Sequence, residues 1–109
     1  MSLSGGNQRK LSLAIAMIGR PKIIYIDEAS TGVDPGSRRT MWKAIRHEGV
    51  DSAVVLTTHA MEEAEAISSK IAIQVSGWFR SFGTLKEVQR DGFSGYYVAL
   101  KIDIDSLTA

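Results

Sequence analysis

The chain has 109 residues, of which 44% are hydrophobic and 23% charged, and this composition suits one globular domain rather than two. Its formal net charge of +1 provides neither a basic surface for nucleic acid nor an acidic tail, so we expect no nucleic-acid partner. The absence of cysteine excludes disulfides and thiolate metal sites, and no apolar run approaches the ~20 residues that span a membrane.

The first 20 residues predict a glycine turn that leads into a helix. Apolar residues recur in the helix at helical spacing and predict one inward-facing stripe: Leu11, Ala14, Ile15 and Ile18. Ser4 is a typical N-cap residue, and Gly5 and Gly6 leave the first backbone N–H groups open to an anion, with Asn7 close by. An ordinary helix cap and an anion-binding turn both fit this segment.

The next segment predicts a short strand that ends in two acids. Residues 23–26 are all apolar, which indicates a strand buried on both faces, as in a parallel sheet. Ligands bind at the carboxyl ends of such strands, and adjacent carboxylates there are costly unless a cation or substrate uses them. Asp27 and Glu28 are therefore candidates for a cation ligand and a base.

Helices and strands alternate beyond this point. The expected order is a loop at 31–36, a helix at 37–47, a strand at 53–57, a helix at 60–68 and a strand at 71–75. Met41, Trp42 and Ile45 should face inward from the first of these helices. The alternation predicts an α/β fold with a parallel sheet and right-handed crossovers.

The last third of the chain predicts a smaller addition without a catalytic motif. Residues 78–82 are expected to pair antiparallel, and residues 96–104 alternate as a last strand. Thr84 and Glu87 have the spacing of a capping box that opens a short helix.

His59 stands at the end of the strand 53–57, as the two acids stand at the end of the strand before it. If the strands lie close together, Asp27, Glu28 and His59 converge into a cation ligand, a base and a phosphate-facing imidazole. A lone histidine is more often structural, so the prediction rests on the three together. A zinc hydrolase is disfavoured because the only other histidine, His47, lies on another helix. Three acids in the following helix are expected to be solvated: Glu62, Glu63 and Glu65.

Four motifs together resemble those of ATP-binding-cassette (ABC) ATPases. Residues 3–7 resemble the signature motif, with Asn7 where glutamine is usual. Residues 23–28 are similar to the Walker B strand and catalytic glutamate, although Ala29 replaces the usual proline. Residues 31–34 are similar to the D-loop, and His59 is similar to the switch histidine. The surrounding sequence most resembles the A subfamily of lipid exporters.

The resemblance implies an incomplete nucleotide-binding domain. Residues 1–109 would be one partial domain, made of the signature turn and helix (1–20), the core (21–75) and a C-terminal β/α extension (76–109). Its fold would be a partial P-loop NTPase (RecA-like) three-layer core with mainly parallel strands. No Gly-Lys pair occurs, so the Walker A motif, the P-loop strand and the rest of the N-terminal half are expected to be missing. The open strand edge left behind could allow self-association.

The resemblance also assigns roles to the candidate residues. Four residues would contact the γ-phosphate of ATP held by a second nucleotide-binding domain: Ser4, Gly5, Gly6 and Asn7. Asp27 would hold Mg²⁺ through water, Glu28 would polarise the attacking water, and His59 would bind the γ-phosphate. Asp34 would link the two sites across the dimer.

The implied activity is ATP hydrolysis coupled to transport, at the cytoplasmic face of a membrane. The transmembrane domains of the same transporter would be the further partners. The chain alone is expected to be inactive because it lacks a Walker A motif. The alternatives are an ABC-fold ATPase outside transport and a non-catalytic interaction fragment.

Overall fold

The computed structural model describes residues 2–48, 51–92 and 96–101, which form a single five-stranded sheet with four helices. The strands are β1 (Ile23–Asp27), β2 (Ala53–Thr58), β3 (Lys70–Val75), β4 (Trp78–Gly83) and β5 (Tyr96–Lys101). The helices are α1 (Gly5–Met17), α2 (Pro35–Glu48), α3 (Met61–Ile67) and α4 (Leu85–Arg90). The α/β class is confirmed, and residues 102–104 of the last predicted strand lie outside the described residues.

The sheet order is β1-β2-β5-β3-β4. The β1–β2 pair is parallel, whereas β2–β5, β5–β3 and β3–β4 are antiparallel. The expectation of mainly parallel strands is therefore wrong for the described part of the chain. β3 runs in the same direction as β2, as predicted, but β5 lies between them. The sequence pattern indicates the direction of each strand after its crossover, but it does not report which strand becomes its neighbour.

One face of the sheet carries the hydrophobic core. Core residues of β1, β2 and β3 point to this face: Ile24, Ile26, Val54, Leu56, Ile71 and Ile73. Helices α2, α3 and α4 contribute buried residues to the same cluster. Met41, Trp42 and Ile45 of α2 are buried, as their helical spacing predicts.

The opposite face of the sheet is open at its two edge strands. Tyr25 in β1 is 75% exposed, and Ile23 beside it and Phe82 in β4 are more than half exposed. The prediction that β1 is buried on both faces is wrong, because its burial alternates along the strand. A third layer is not seen over these exposed residues in the described ranges, so the expected three-layer core is instead a sheet with helices α2–α4 on one face.

Helix α1 lies beside edge strand β1 and buries only Leu13. The predicted stripe is wrong, since Leu11, Ile15 and Ile18 are at least half exposed. Helical spacing identifies which side chains share a face, but it does not provide an element for that face to pack against.

In the last third of the described chain, the structure confirms two predictions that rest on neighbouring residues, a hairpin and a capping box. Ser76 and Gly77 both adopt positive φ (50° and 80°) in the tight turn that joins β3 to β4, which confirms the predicted antiparallel hairpin. The capping box is also confirmed: Thr84 Oγ1 accepts the Glu87 N–H, and a Glu87 carboxylate oxygen accepts the Thr84 N–H at 2.6 Å.

Candidate functional site

The candidate site lies where parallel strands β1 and β2 end side by side. Asp27 is in register with Thr57, so the residues that follow both strands emerge at one edge of the sheet. The Glu28 N–H continues the ladder by donating to the Thr57 carbonyl oxygen at 3.1 Å. The Thr57 hydroxyl donates to the Asp27 carboxylate, which fixes the orientation of that side chain.

Glu28 and His59 meet at this edge. His59 Nδ1 is 3.4 Å from Glu28 Oε1, and their side chains are 57% and 48% exposed. His59 is placed by the turn after β2, in which the Thr58 hydroxyl accepts the Ala60 N–H at 3.0 Å. The structure thus brings Glu28 and His59 into contact and places Asp27 at the same edge of the sheet, with the Glu28 carboxylate and the imidazole open to an incoming molecule.

The backbone of Glu28 is held in an unfavourable conformation. Its φ is 48°, in the left-handed region that costs a non-glycine residue about 1–2 kcal/mol. Its carbonyl oxygen accepts hydrogen bonds from Arg9 Nη1 at 2.9 Å and from the Thr31 N–H at 3.2 Å. Arg9 therefore ties α1 to the catalytic candidate, a contact that sequence analysis missed because the two residues are far apart in the chain.

A polar pocket of about 150 Å³ opens beside His59. It is lined by the loop after β1, the start of α2 and the turn after β2: Ser30, Thr31, Gly32, Val33, Arg38, Thr58, His59 and Ala60. Arg38 Nε is buried without a hydrogen-bond partner among the described residues. Arg38 is therefore partly buried rather than fully solvated. Its position was a usable signal, because a cation in the first turn of a helix opposes the helix dipole.

Asp34 caps helix α2 rather than contacting the Glu28–His59 pair. Its carboxylate accepts the Ser37 N–H at 3.0 Å. Hydrogen bonds from Ser37, aided by the nearby positive charge of Lys10, lower the pKa of Asp34 below its ordinary value of 3.8. The side chain is exposed and stays ionised at neutral pH.

The signature-like residues form the exposed start of α1. Ser4 is the N-cap, and its hydroxyl accepts the Asn7 N–H at 3.2 Å. Nothing lies within 4 Å of the position that a Cβ would take at Gly5 or Gly6, so the backbone there is approachable. These contacts stay within the helix start, and Arg9 provides the connection from α1 to Glu28.

Comparison with known proteins gives close relatives over most of the chain. No family model matches it. It is 49% identical over 102 residues to the human "Retinal-specific phospholipid-transporting ATPase ABCA4". The matched region covers 91% of this chain and 4% of that protein. It is 47% and 45% identical over 95 residues to ABC transporter A family members 5 and 12 of Arabidopsis thaliana, covering 87% of this chain and 10% of each relative.

The chain belongs, as a segment, to the A family of ABC transporters. It spans a tenth or less of the length of these relatives. The resemblance of its sequence to the A subfamily is thereby confirmed. Within the ranges that the structure describes, none of the helices of this A-family segment is both long and apolar enough to cross a bilayer.

One acid of the A-family segment lies in the core rather than in solvent. Glu63 was expected to be solvated with its neighbours, but it is only 1% exposed. Its Oε2 accepts hydrogen bonds from Trp42 Nε1 at 2.8 Å and from the Ser30 hydroxyl. The i, i+4 spacing to Ile67, which is buried on the same helix, was the signal that could have placed Glu63 close to the core.

Proposed function

We propose that this A-family segment forms the hydrolytic part of a composite ATP site in an ABC transporter, where ATP hydrolysis drives transport across a membrane. The observation that supports it is the contact of Glu28 Oε1 with His59 Nδ1 at 3.4 Å, at the ends of adjacent parallel strands. A carboxylate and an imidazole that converge on an accessible edge, with Asp27 alongside, suit the activation of water against a phosphate.

The three residues would divide the chemistry between them. Glu28 would accept the proton of the attacking water, and His59 would donate a hydrogen bond to a γ-phosphate oxygen and orient that water. Asp27 would hold Mg²⁺ through water, since Mg²⁺ in nucleotide sites is usually bound by one or two carboxylates together with phosphate oxygens. The donor chemistry fits, because Asp27 is exposed and oriented by Thr57. When bound, Mg²⁺ would neutralise phosphate charge.

The start of α1 would serve a second nucleotide-binding domain. We propose that four residues contact the γ-phosphate of ATP held by that domain: Ser4, Gly5, Gly6 and Asn7. Their support is an exposed helix N-terminus with open space at both glycines, which suits an anion. Asp34 would link the two sites across the dimer, and its exposure and lowered pKa suit a polar contact at an interface.

The segment would need further parts of the transporter to act. It has no Gly-Lys pair and hence no Walker A lysine, so we expect the chain alone to be inactive until an N-terminal half supplies the P-loop. Transmembrane domains would be the remaining partners, with the segment at the cytoplasmic face. Because one relative is named as phospholipid-transporting, we propose a lipid as the transported substrate. The A-family relatives disfavour an ABC-fold ATPase outside transport.

The test is reconstitution of ATP hydrolysis from two halves. Phosphate release is measured with Mg·ATP for the chain alone and for the chain mixed with an N-terminal half that carries a P-loop. We expect release only on mixing. Glu28→Gln should then reduce it by about 10²–10⁴-fold, because a positioned base is lost.

Glu62→Gln is the matched control, since Glu62 is exposed on α3 and forms no hydrogen bond or ion pair with Glu28 or His59. It should leave the rate of the mixture unchanged. Equal rates for Glu28→Gln and the unmodified mixture would contradict the proposed role of Glu28, and release by the chain alone would contradict the need for a second half.

A further inference from the structure

Glu63 is an acid in a place where an apolar residue would be expected. It is among the most buried side chains of the described chain. Its Oε2 accepts from two uncharged donors, whereas its Oε1 is buried without a hydrogen-bond partner among the described residues. Burial of a carboxylate costs free energy that neutral donors only partly offset. Packing of α3 therefore does not by itself account for an acid here.

The two hydrogen bonds of Glu63 join the segments that carry the candidate site. Ser30, the first donor, is two residues after Glu28 in the loop that follows β1. Glu63 itself is four residues after His59, in the first turn of α3. Trp42, the second donor, lies on α2, the helix that Asp34 caps. A single carboxylate oxygen thus connects the loop after Glu28, the helix after His59 and helix α2.

We propose that Glu63 is a positioning residue that sets the distance between Glu28 and His59, an inference that rests on the proposed function. The two side chains meet at 3.4 Å although each is about half exposed. Glu28 is also held in the left-handed region, a conformation that persists only where the surrounding contacts hold it. The Ser30–Glu63 bond provides such a contact on the carboxyl side of Glu28, as Arg9 does at its carbonyl.

If Glu63 positions the pair, it acts on the loop after Glu28 through the Ser30 hydroxyl. A substitution that removes only this hydroxyl tests the proposal with little disturbance of the fold. Ser30→Ala removes the link to the loop while leaving the Trp42–Glu63 bond in place. Ser81→Ala is the matched control, because the Ser81 hydroxyl also donates to a carboxylate, that of Asp91 at 2.7 Å, in a different part of the molecule. Both variants lose one hydroxyl and one part-buried hydrogen bond, so they should lose similar stability.

The first measurement is the NMR spectrum of the histidine rings in the 109-residue chain. The chain has two histidines, so His47 reports on the rest of the fold while His59 reports on the site. We expect Ser30→Ala to shift the ring resonances of His59 and not those of His47, and Ser81→Ala to shift neither. Glu63→Gln should keep the His59 resonances, since one amide oxygen can still accept both bonds, whereas Glu63→Leu should displace them.

The second measurement places Ser30→Ala in the reconstituted ATPase. A misplacement of the pair should lower kcat about 10- to 100-fold with little change in the KM for ATP. Unchanged His59 resonances in Ser30→Ala, or an equal shift in Ser81→Ala, would overturn the proposal. If the unmodified mixture does not hydrolyse ATP, the proposed function fails, and the spectra alone still decide whether Glu63 positions His59.

Discussion

Glu28 combines two requirements that conflict within one residue. The proposed chemistry needs its carboxylate, whereas its φ of 48° favours glycine. Its N–H, which donates to Thr57, and its carbonyl, which accepts from Arg9, hold the backbone in place. Unfavourable conformations maintained by their surroundings occur often at functional sites, which agrees with the role proposed for this residue.

The conflict predicts a difference between two substitutions that both remove the carboxylate. Glu28→Gly should give a more stable chain than Glu28→Ala, by about 1 kcal/mol, because only glycine adopts positive φ without strain. Urea denaturation followed by circular dichroism measures the difference. Both variants should be inactive in the reconstituted ATPase. An alanine variant as stable as the glycine variant would contradict the left-handed conformation of this residue.

At the scale of single elements, helix α4 shows how a short local signal gives pH dependence. Hydrogen bonds from the Thr84 backbone and hydroxyl, with Lys70 and Arg90 nearby, lower the pKa of Glu87 below its ordinary value of 4.5. Because the folded-state pKa is the lower one, the stabilisation is fully present above pH 4.5. It is lost as the pH falls through the folded-state value.

Glu87→Gln should therefore weaken the dependence of stability on acid. The amide does not titrate, so the variant should lose less stability than the unmodified chain between about pH 6 and about pH 3.5. Urea midpoints at the two pH values measure this. Glu65→Gln is a suitable control, because Glu65 is exposed on α3 and makes no capping contact. Parallel losses in Glu87→Gln and the unmodified chain would exclude Glu87 as a source of acid sensitivity.

The elements that could be predicted are those specified by nearby residues. The Thr84–Glu87 box and the inward residues of α2 depend on spacing within one helix, and both are confirmed. The position of β5 depends on pairing with two strands that are distant in sequence, so alternation alone did not reveal it. The predicted inward-facing stripe on α1 is wrong for a related reason, because apolar spacing does not show whether another element packs against the helix.

Three residues of the candidate site could be predicted from the strand assignments alone. Asp27, Glu28 and His59 come together because parallel neighbours end at one edge of a sheet, a rule that needs only the strand assignments. Arg9, Arg38 and Glu63 were not found, since their contributions depend on burial and on contacts across the fold. Residue type alone suggested a solvated position for Glu63.

At the scale of the whole molecule, the open sheet face predicts association. Tyr25, Ile23 and Phe82 expose apolar surface on the face opposite the core, and the outer edge of β1 pairs with no strand among the described residues. Exposed apolar patches and unpaired strand edges both favour contact with another chain. We expect the chain to self-associate when the N-terminal half is absent, and to do so less when that half is added.

Sedimentation velocity over a range of concentrations tests this expectation. Tyr25→Lys should shift the chain towards monomer, because it places a charge on the exposed face of the unpaired edge strand β1. Gln89→Lys adds the same charge on exposed α4 and should leave association unchanged. A monomer at every concentration of the unmodified chain would contradict the prediction.

The position of β5 also has a consequence for the order in which the molecule is made. Residues 96–101 are the last strand among the described residues, yet they form the middle of the sheet, between β2 and β3. During synthesis on the ribosome, the β1–β2 pair and the β3–β4 hairpin can therefore form as separate units, but they cannot pair into one sheet until this strand emerges. The two acids and the histidine lie on the half that is completed first.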